Sequence, residues 1–425
     1  MENKFKSIPD EFKGQDVRAM LLSESKSLED IPSSVMRTFT SIRVLDLGGT
    51  SIKALPDSFG ALKQLVFLRL ARAPIKKLPD SITRLKKLQI LDLSHCGQLS
   101  ELPYGLYKMT GLLYLDLSFC PGLNCIPCGI SMLTSLQYLK MEKCWKAWQP
   151  TPQPRKTLCD LTGGRAEYKR AARFNDLHSL KHLKWLALEE FRQPFTEGIV
   201  GNMVEMRTLI LRMQQMEVLP EDMKSMVELG TLVVQSSVLV KIPSWICGFQ
   251  QLSCLILKSC DKLEEIPVGL EKLEWLRRLD IIGSWTLKEL PDAYGKDGAF
   301  PRLESFWLDQ TRVVEVFPPI SPGAMPLLKK LGLVFCLNVK TLPPGLQNLQ
   351  NLREVHVYNS TLILKSMEEE GSEAWSTVRT LEGEKDVEIL KESVAKRRHK
   401  HMEKRMGNKY WWDRFLTDMW MDFHI

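Results

Sequence analysis

The 425-residue chain lacks most of what marks an enzyme, a membrane protein or a secreted scaffold. Nowhere do apolar residues run unbroken for the roughly 18 positions that a membrane-spanning helix needs. The opening stretch MENKFKSIPDEFKGQ has no apolar block fit for a signal peptide. Ten cysteines in a chain this long make no disulfide framework. Without a signal peptide the expected setting is a reducing one, cytoplasmic or else nuclear. The phosphate-loop pattern G-x-x-x-x-G-K-[ST] is missing; GGTSIK at 48–53 only echoes it, and the Gly295-Lys296 pair is followed by Asp297. No G-x-S-x-G supports a hydrolase elbow. The chain therefore offers no catalytic candidate, calls for no cofactor, and reads as a non-enzyme.

Net charge is small in the body as well. The net +7 includes a tail, residues 396–425, that holds eight Lys/Arg against four Asp/Glu, so the rest is close to neutral. No nucleic-acid partner is expected of such a surface.

Repetition is abundant. TSIKALPDSFGALKQLVFLRL, from Thr50, is followed at once by APIKKLPDSITRLKKLQILDL, from Ala73, with Ile52 and Ile75, Leu55 and Leu78, Pro56 and Pro79, Asp57 and Asp80 each 23 apart. The unit is L-x-x-L-x-L, a small residue three positions on, then an apolar residue and LP. Its strand pairs run Met20/Leu22, Leu45/Leu47, Leu68/Leu70, Leu91/Leu93, Leu115/Leu117 and Leu139/Met141. They resume at Leu186/Leu188, Leu209/Leu211, Leu232/Val234, Leu255/Leu257, Leu279/Ile281, Phe306/Leu308, Leu331/Leu333 and Val355/Val357. Alternation of this kind predicts a strand with one face buried. The proline-led LPxxLxxLxxL remainder returns the chain along the outer side. No unit can bury its apolar face alone, so neighbours must stack into a solenoid.

The small column reads Ser25, Thr50, Cys96, Cys120, Cys144, Ser237, Cys260, Ser284, Thr311, Cys336 and Ser360, and is expected to turn inward and bond the backbone of the next coil. Half of the cysteines are used this way, which weakens the metal readings. Cys120, Cys125 and Cys128 have the C-x4-C-x2-C spacing of a two-iron cluster, with Cys144 or Cys159 for a fourth ligand. The ladder explains Cys120, and Cys125 and Cys128 merely flank Pro127. His178 and His182, four apart, have no carboxylate or cysteine at ligand spacing. No metal is expected.

The array falls into an N-terminal part, 1–142, a loop or degenerate repeat at 143–175 containing WQPTPQPRK, a C-terminal part, 176–365, and a helical basic and aromatic tail, 366–425. Strand positions just before the first buried residue of each pair read Val44, Phe67, Ile90, Tyr114, Tyr138 and Trp185. Strands about 4.8 Å apart would stack these side chains into one ladder, and an exposed apolar patch of that size marks a binding surface. The competing reading has the 143–175 insertion, or long charged neighbours, cover it. Trp307, Phe335 and Tyr358 form a smaller group. The predicted partner-contact residues are Phe67, Tyr114, Tyr138, Trp185 and Trp307.

In the tail, Val387, Leu390 and Val394 share a helical spacing, as do Trp412, Phe415, Leu416, Met419 and Phe423, with the basic run Lys396–Arg405 between. The favoured expectation is a cap on the last repeat. Contact with an acidic membrane or a calmodulin-like groove, and a nuclear-targeting stretch, are the others.

SIRVLDLGGTSIKALPDSFGALKQLVFLRLARAPIKKLPDSITRLKKLQILDLSHCGQLSELPYGLYKMTGLLYLDLSFCPGLNCIP resembles the leucine-rich repeats of plant intracellular immune receptors, the nucleotide-binding kind with coiled coils. GAFPRLESFWLDQ and MPLLKKLGLVFCLNVKTLPPGLQNLQNLREVHV are similar to that class's late repeats, and SEAWSTVRTL to its ending. The resemblance spans about residues 6–382. It implies an α/β solenoid, a leucine-rich-repeat horseshoe with a curved parallel sheet on its concave face. It also implies recognition of a protein, an effector or a guarded host protein, in plant defence. The family's nucleotide-binding switch is not in these residues, and KSIPDEF (6–12) starts inside a unit, so a sensing half is expected. Cytosolic Ras-binding scaffolds share the LPxxLxxLxxL unit and supply the alternative function.

Overall fold

The computed structural model describes residues 6–8, 16–124, 126–144, 174–189, 197–384 and 387–392. Its fifteen described strands form one parallel sheet in strict sequence order, curved and open, and the sheet lines the concave face. The N-terminal strands are short: β1 (Ala19–Leu21), β2 (Val44–Asp46), β3 (Phe67–Arg69), β4 (Ile90–Asp92), β5 (Tyr114–Asp116) and β6 (Tyr138–Met141). Those that follow have five residues each: β7 (Trp185–Glu189), β8 (Thr208–Arg212), β9 (Thr231–Gln235), β10 (Cys254–Lys258), β11 (Arg278–Ile282), β12 (Ser305–Asp309), β13 (Lys330–Val334), β14 (Glu354–Tyr358) and β15 (Glu388–Glu392).

The register follows from the leucine pairs. Leu45 lies opposite Leu68, Leu68 opposite Leu91, and Leu279 opposite Phe306, each fully buried in one continuous core. Because side chains alternate along a strand, the same register stacks the other set on the concave side. β6 pairs directly with β7, Tyr138 opposite Trp185, so the long insertion puts no strand between them. Residues 145–173, most of that insertion, lie outside the described residues.

The outer side is built of 3-10 turns rather than long helices, of which the described part has few. Pro56, Pro79, Pro103, Pro127, Pro220, Pro243 and Pro291 each stand just before such a turn, with φ between −57° and −70°. Proline presets that dihedral, and its missing N–H costs nothing where no partner strand waits. Phe59, Ile82, Leu106, Ile130, Met223 and Ile246, from these turns, point into the core and are fully buried.

The small column closes the coils. The thiols of Cys96, Cys120, Cys144 and Cys336 donate to Leu70, Leu93, Leu117 and Leu308 carbonyls at 2.7–3.2 Å, and Ser360 Oγ does so to Leu333 at 2.9 Å. These bonds run to the preceding coil, not the next. The column is not uniform: Thr50 donates to Leu47 of its own coil, the buried Ser284 Oγ has no hydrogen-bond partner, and beside the half-buried Ser237 it is the neighbour Ser236 that turns inward and donates to Met216. That unit, VVQSSV, offers two serines, and the register alone does not choose between them.

At the C-terminal end, α1 having occupied only the first outer turn (Ser33–Thr38), two further helices follow β14: α2 (Thr361–Glu368) and α3 (Glu373–Glu384). Ile363, Met367, Ala374, Val378, Leu381 and Val387 bury themselves there and cover the last coil. Where Val387 and Leu390 suggested a helix, the chain instead adds β15 in parallel to β14, with Val355 opposite Ile389. The open edge of β14 presents unpaired N–H and C=O groups, which a strand satisfies and a helix does not. Val394 and the remaining tail, 393–425, lie outside the described residues. Among the described residues no helix is long and apolar enough to cross a membrane.

Candidate partner-binding face

Outward-facing strand residues make columns along the concave face. The first is Val44, Phe67, Ile90, Tyr114, Tyr138 and Trp185, in unbroken register as the sequence predicted, and it continues as Thr208, Thr231, Cys254, Arg278 and Ser305. The second starts Asp46, Arg69, Asp92, Asp116, Lys140 and turns apolar at Ala187, Ile210, Val233 and Ile256 before Asp280, Trp307, Gly332 and His356.

The N-terminal third is a mixture of charge and aromatic rings. Arg69 bridges Asp46 and Asp92, at 3.2 Å to each. Burial opposes its charge, but the two carboxylates outweigh that and hold its pKa up. Asp46, Asp92 and Asp116 also accept the N–H of Gly48, Ser94 and Ser118, two residues on, which ends each strand the same way. Tyr114 donates to Asp116 at 3.0 Å. Burial pushes the pKa of both groups up, so Tyr114 stays a phenol and a donor.

The predicted contact residues separate into three groups. Tyr114 and Tyr138 are half-buried, their ring centroids 6.0 Å apart, and Phe67 is half-buried two strands before Tyr114. Lys140 joins the ladder, its ammonium 5.5 Å from the Tyr114 ring and 4.8 Å from that of Trp185. Trp185 itself is only 6% exposed. It belongs to a second apolar cluster with Ala187, Ile210, Val233, Cys254 and Ile256, all at 5% or less, against which Tyr138 packs. Trp307 sits apart, its ring 5.0 Å from His356, which is 6.0 Å from Tyr358. Phe335 does not join that group. It lies past the end of β13 in a left-handed turn, φ 51°, and His356 takes its place.

Sequence reasoning missed the seat of Trp307. The indole lies on Gly332, where a Cβ would overlap the ring, so only glycine in LGL admits it. It also missed the apolar centre, although the signal was present. WLALE, TLILR, TLVVQ and CLILK are continuous apolar runs, the mark of strands covered on both faces, unlike the alternating VLDLG and ILDLS before them.

Buried charge borders that centre. Arg212, 7% exposed at its side chain, lies 3.2 Å from Glu189 and 3.4 Å from Glu142. It lines a polar cavity of about 210 Å³ together with Glu189, Gln235, Ser236, Ser259 and Asp261. Farther on, Asp280 is fully buried and bonded through one oxygen to Arg278, at 2.6 and 2.9 Å. Its Oδ1 and that of Asp309 have no hydrogen-bond partner. Burial, with Asp280 adding repulsion, pushes Asp309 up to about 7.

No cluster of three or more potential metal ligands occurs among the described residues. Cys120 belongs to the buried column; Cys125 and Cys159 lie outside the described residues, and nothing of the Cys128 side chain is described. His182 pairs with Glu205 at 2.7 Å.

The family model described as "Leucine-rich repeat region" matches residues 17–165 and 169–294. A probable disease resistance protein of Arabidopsis thaliana is 33% identical over 66 residues, which is 15% of this chain and 7% of that protein. The chain thus spans a small fraction of that relative's length. Among solved structures, a leucine-rich-repeat protein of Leptospira interrogans aligns with a TM-score of 0.60 at 20% identity, over 88% of this chain and 95% of the other. The functional domain of InlJ from Listeria monocytogenes, titled as including a cysteine ladder, aligns at 0.54 and 16%, over 80% and 66%. At these identities the two structures speak for the fold alone.

Proposed function

The chain belongs to the leucine-rich repeat region family, and from that premise we propose that it is a non-enzymatic recognition module that holds a protein partner on its concave face. The observation that carries the reading is the register-locked ladder of Phe67, Tyr114 and Tyr138 beside Arg69, Asp92 and Lys140. Rigid strands present half-buried rings, which bring large contact area at little entropic loss, between charges of both signs. Trp307 with His356 and Tyr358 forms a second contact point on the same face, and Trp185 supports the ladder from within the apolar cluster.

The likeness to a plant disease resistance protein, short as it is, supports a place in plant defence, with an effector or a guarded host protein as the partner. The described cysteines are free and most of them buried, which fits a reducing compartment and supports the cytoplasm or nucleus. Affinity capture from plant extract tests the reading. Tyr114→Ala with Tyr138→Ala should lose a partner that wild type retains, while Trp275→Ala, outside the strands, keeps it. Nucleotide-dependent capture of a small GTPase, unaffected by the tyrosine substitutions, would instead support a Ras-type scaffold.

A further inference from the structure

Where β7, β8, β9 and β10 end, the rim of the concave face holds the polar cavity of about 210 Å³. Glu189, Arg212 and Gln235 are the last residues of their strands, and Ser259 and Asp261 follow β10. Small-molecule pockets run from about 300 Å³ upward, so this one has room for a single side chain. It begins on the strand next to Tyr138, the last half-buried ring of the ladder.

The walls offer acceptors. Ser236 Oγ donates to the Met216 carbonyl at 2.7 Å and Ser237 Oγ to that of Gln214 at 3.2 Å. Each hydroxyl thus has its one proton engaged and presents lone pairs. Arg212, the one cation among the described lining residues, is held by Glu189 at 3.2 Å and Glu142 at 3.4 Å, two carboxylates against one guanidinium. Asp261 adds a third carboxylate. Burial alone shifts its pKa, upward, and no neighbouring cation among the described residues offsets that. A ligand with acceptors of its own would set oxygen against oxygen here, and an anion would meet surplus negative charge.

We propose that this cavity is a pocket for a guanidinium side chain. Arginine and lysine are the side chains that carry several donors and a fixed positive charge with no acceptor. Of the two, arginine presents five N–H groups in a flat fork, which reaches acceptors on more than one wall; the lysine ammonium is a point charge with three. Its source is a protein partner seated on the ladder. That assignment rests on the recognition reading above; the chemistry of the pocket does not.

Nα-acetyl-arginine N-methylamide, titrated into the full chain and followed by saturation-transfer NMR, tests the pocket. Saturable binding is expected. It should be about tenfold weaker for the citrulline counterpart, which keeps the shape and loses the charge, and about tenfold weaker in Asp261→Asn. Asp261 sits in a turn outside the strands, so circular dichroism of that variant should match wild type. Gln235→Leu, at a second wall, should show a like loss and serves if Asp261→Asn alters the fold. Equal binding of the two probes, tighter binding of the lysine counterpart, unchanged binding by both variants, or no saturation up to about 20 mM overturns the proposal. Asp261→Asn should also weaken capture of a protein partner; undiminished capture by it overturns the partner's arginine as the occupant. Tyr114→Ala with Tyr138→Ala releasing no partner, while the arginine probe still binds, fails the recognition reading alone.

Discussion

Replacing Asp309 by Asn should stabilise the protein, and more so at pH 8 than at pH 5.5. Asp309 ends β12 on the concave side, largely buried, with Oδ1 unpaired and Asp280 nearby. Burial pushes it from 3.8 up to about 7. For an acid whose folded pKa is raised, the folded state binds more protons than the unfolded one. Stability is therefore greatest below 3.8, falls as pH rises and levels off above about 7. The whole shift amounts to about 4 kcal/mol, of which roughly 2 kcal/mol falls between pH 5.5 and 8. Asparagine keeps the shape and removes the titration. Urea unfolding followed by circular dichroism at the two pH values measures it. The difference between variant and wild type cancels groups, such as Asp116, that the two share. A gain at pH 8 about 2 kcal/mol larger than at pH 5.5 is expected. A pH-independent difference, or a loss at pH 8, would refute the reasoning, as would a carboxyl titration of Asp309 near 4.

Trp185→Ala should cost about 3 kcal/mol, as truncating a buried aromatic does, while Tyr138→Ala at the half-exposed rung costs less than half of that; equal costs in thermal unfolding would contradict the difference in burial between them. Gly332→Val should push the Trp307 indole off its seat and cost roughly 1–3 kcal/mol, read by tryptophan fluorescence and urea midpoint; an unmoved spectrum would show the seat to be roomy. Cys96, Cys260 and Cys336, whose thiols burial raises to about 12, 11 and 12, should resist alkylation until the array is denatured, and Cys96→Lys should destabilise by several kcal/mol. Labelling of all three in native protein would mean the small column faces solvent.

The strands were legible because the L-x-L pairs obey a period of two within a period of mostly 23 to 25, and each leucine then falls opposite its counterpart. β15 was not. Lys391 stands in register opposite Val357, where the repeat elsewhere has an apolar residue, and EKDVEILKESV reads as well for a helix as for a strand. What decides is the open edge of β14, which is a fact of three dimensions. The ladder from Val44 to Trp185 was legible as a register. The burial of Trp185 was not, because exposure depends on what lies across the face. A switch from alternating to continuous apolar strands after β6 carried that information in the sequence. The pairing of Trp307 with Gly332 lay hidden because the two residues are 25 apart and meet only through the register of β12 and β13.

Hydroxyl-radical footprinting of the captured complex tests the central claim most directly. Phe67, Tyr114, Tyr138 and Trp307 face the concave side, whereas Trp275 and Trp285, 40% and 42% exposed, lie outside the strands. A partner seated on the concave face lowers oxidation of the first group and leaves Trp275 and Trp285 unchanged. Protection of Trp275 and Trp285, with the concave rings oxidised as fast as in the free protein, would contradict the account.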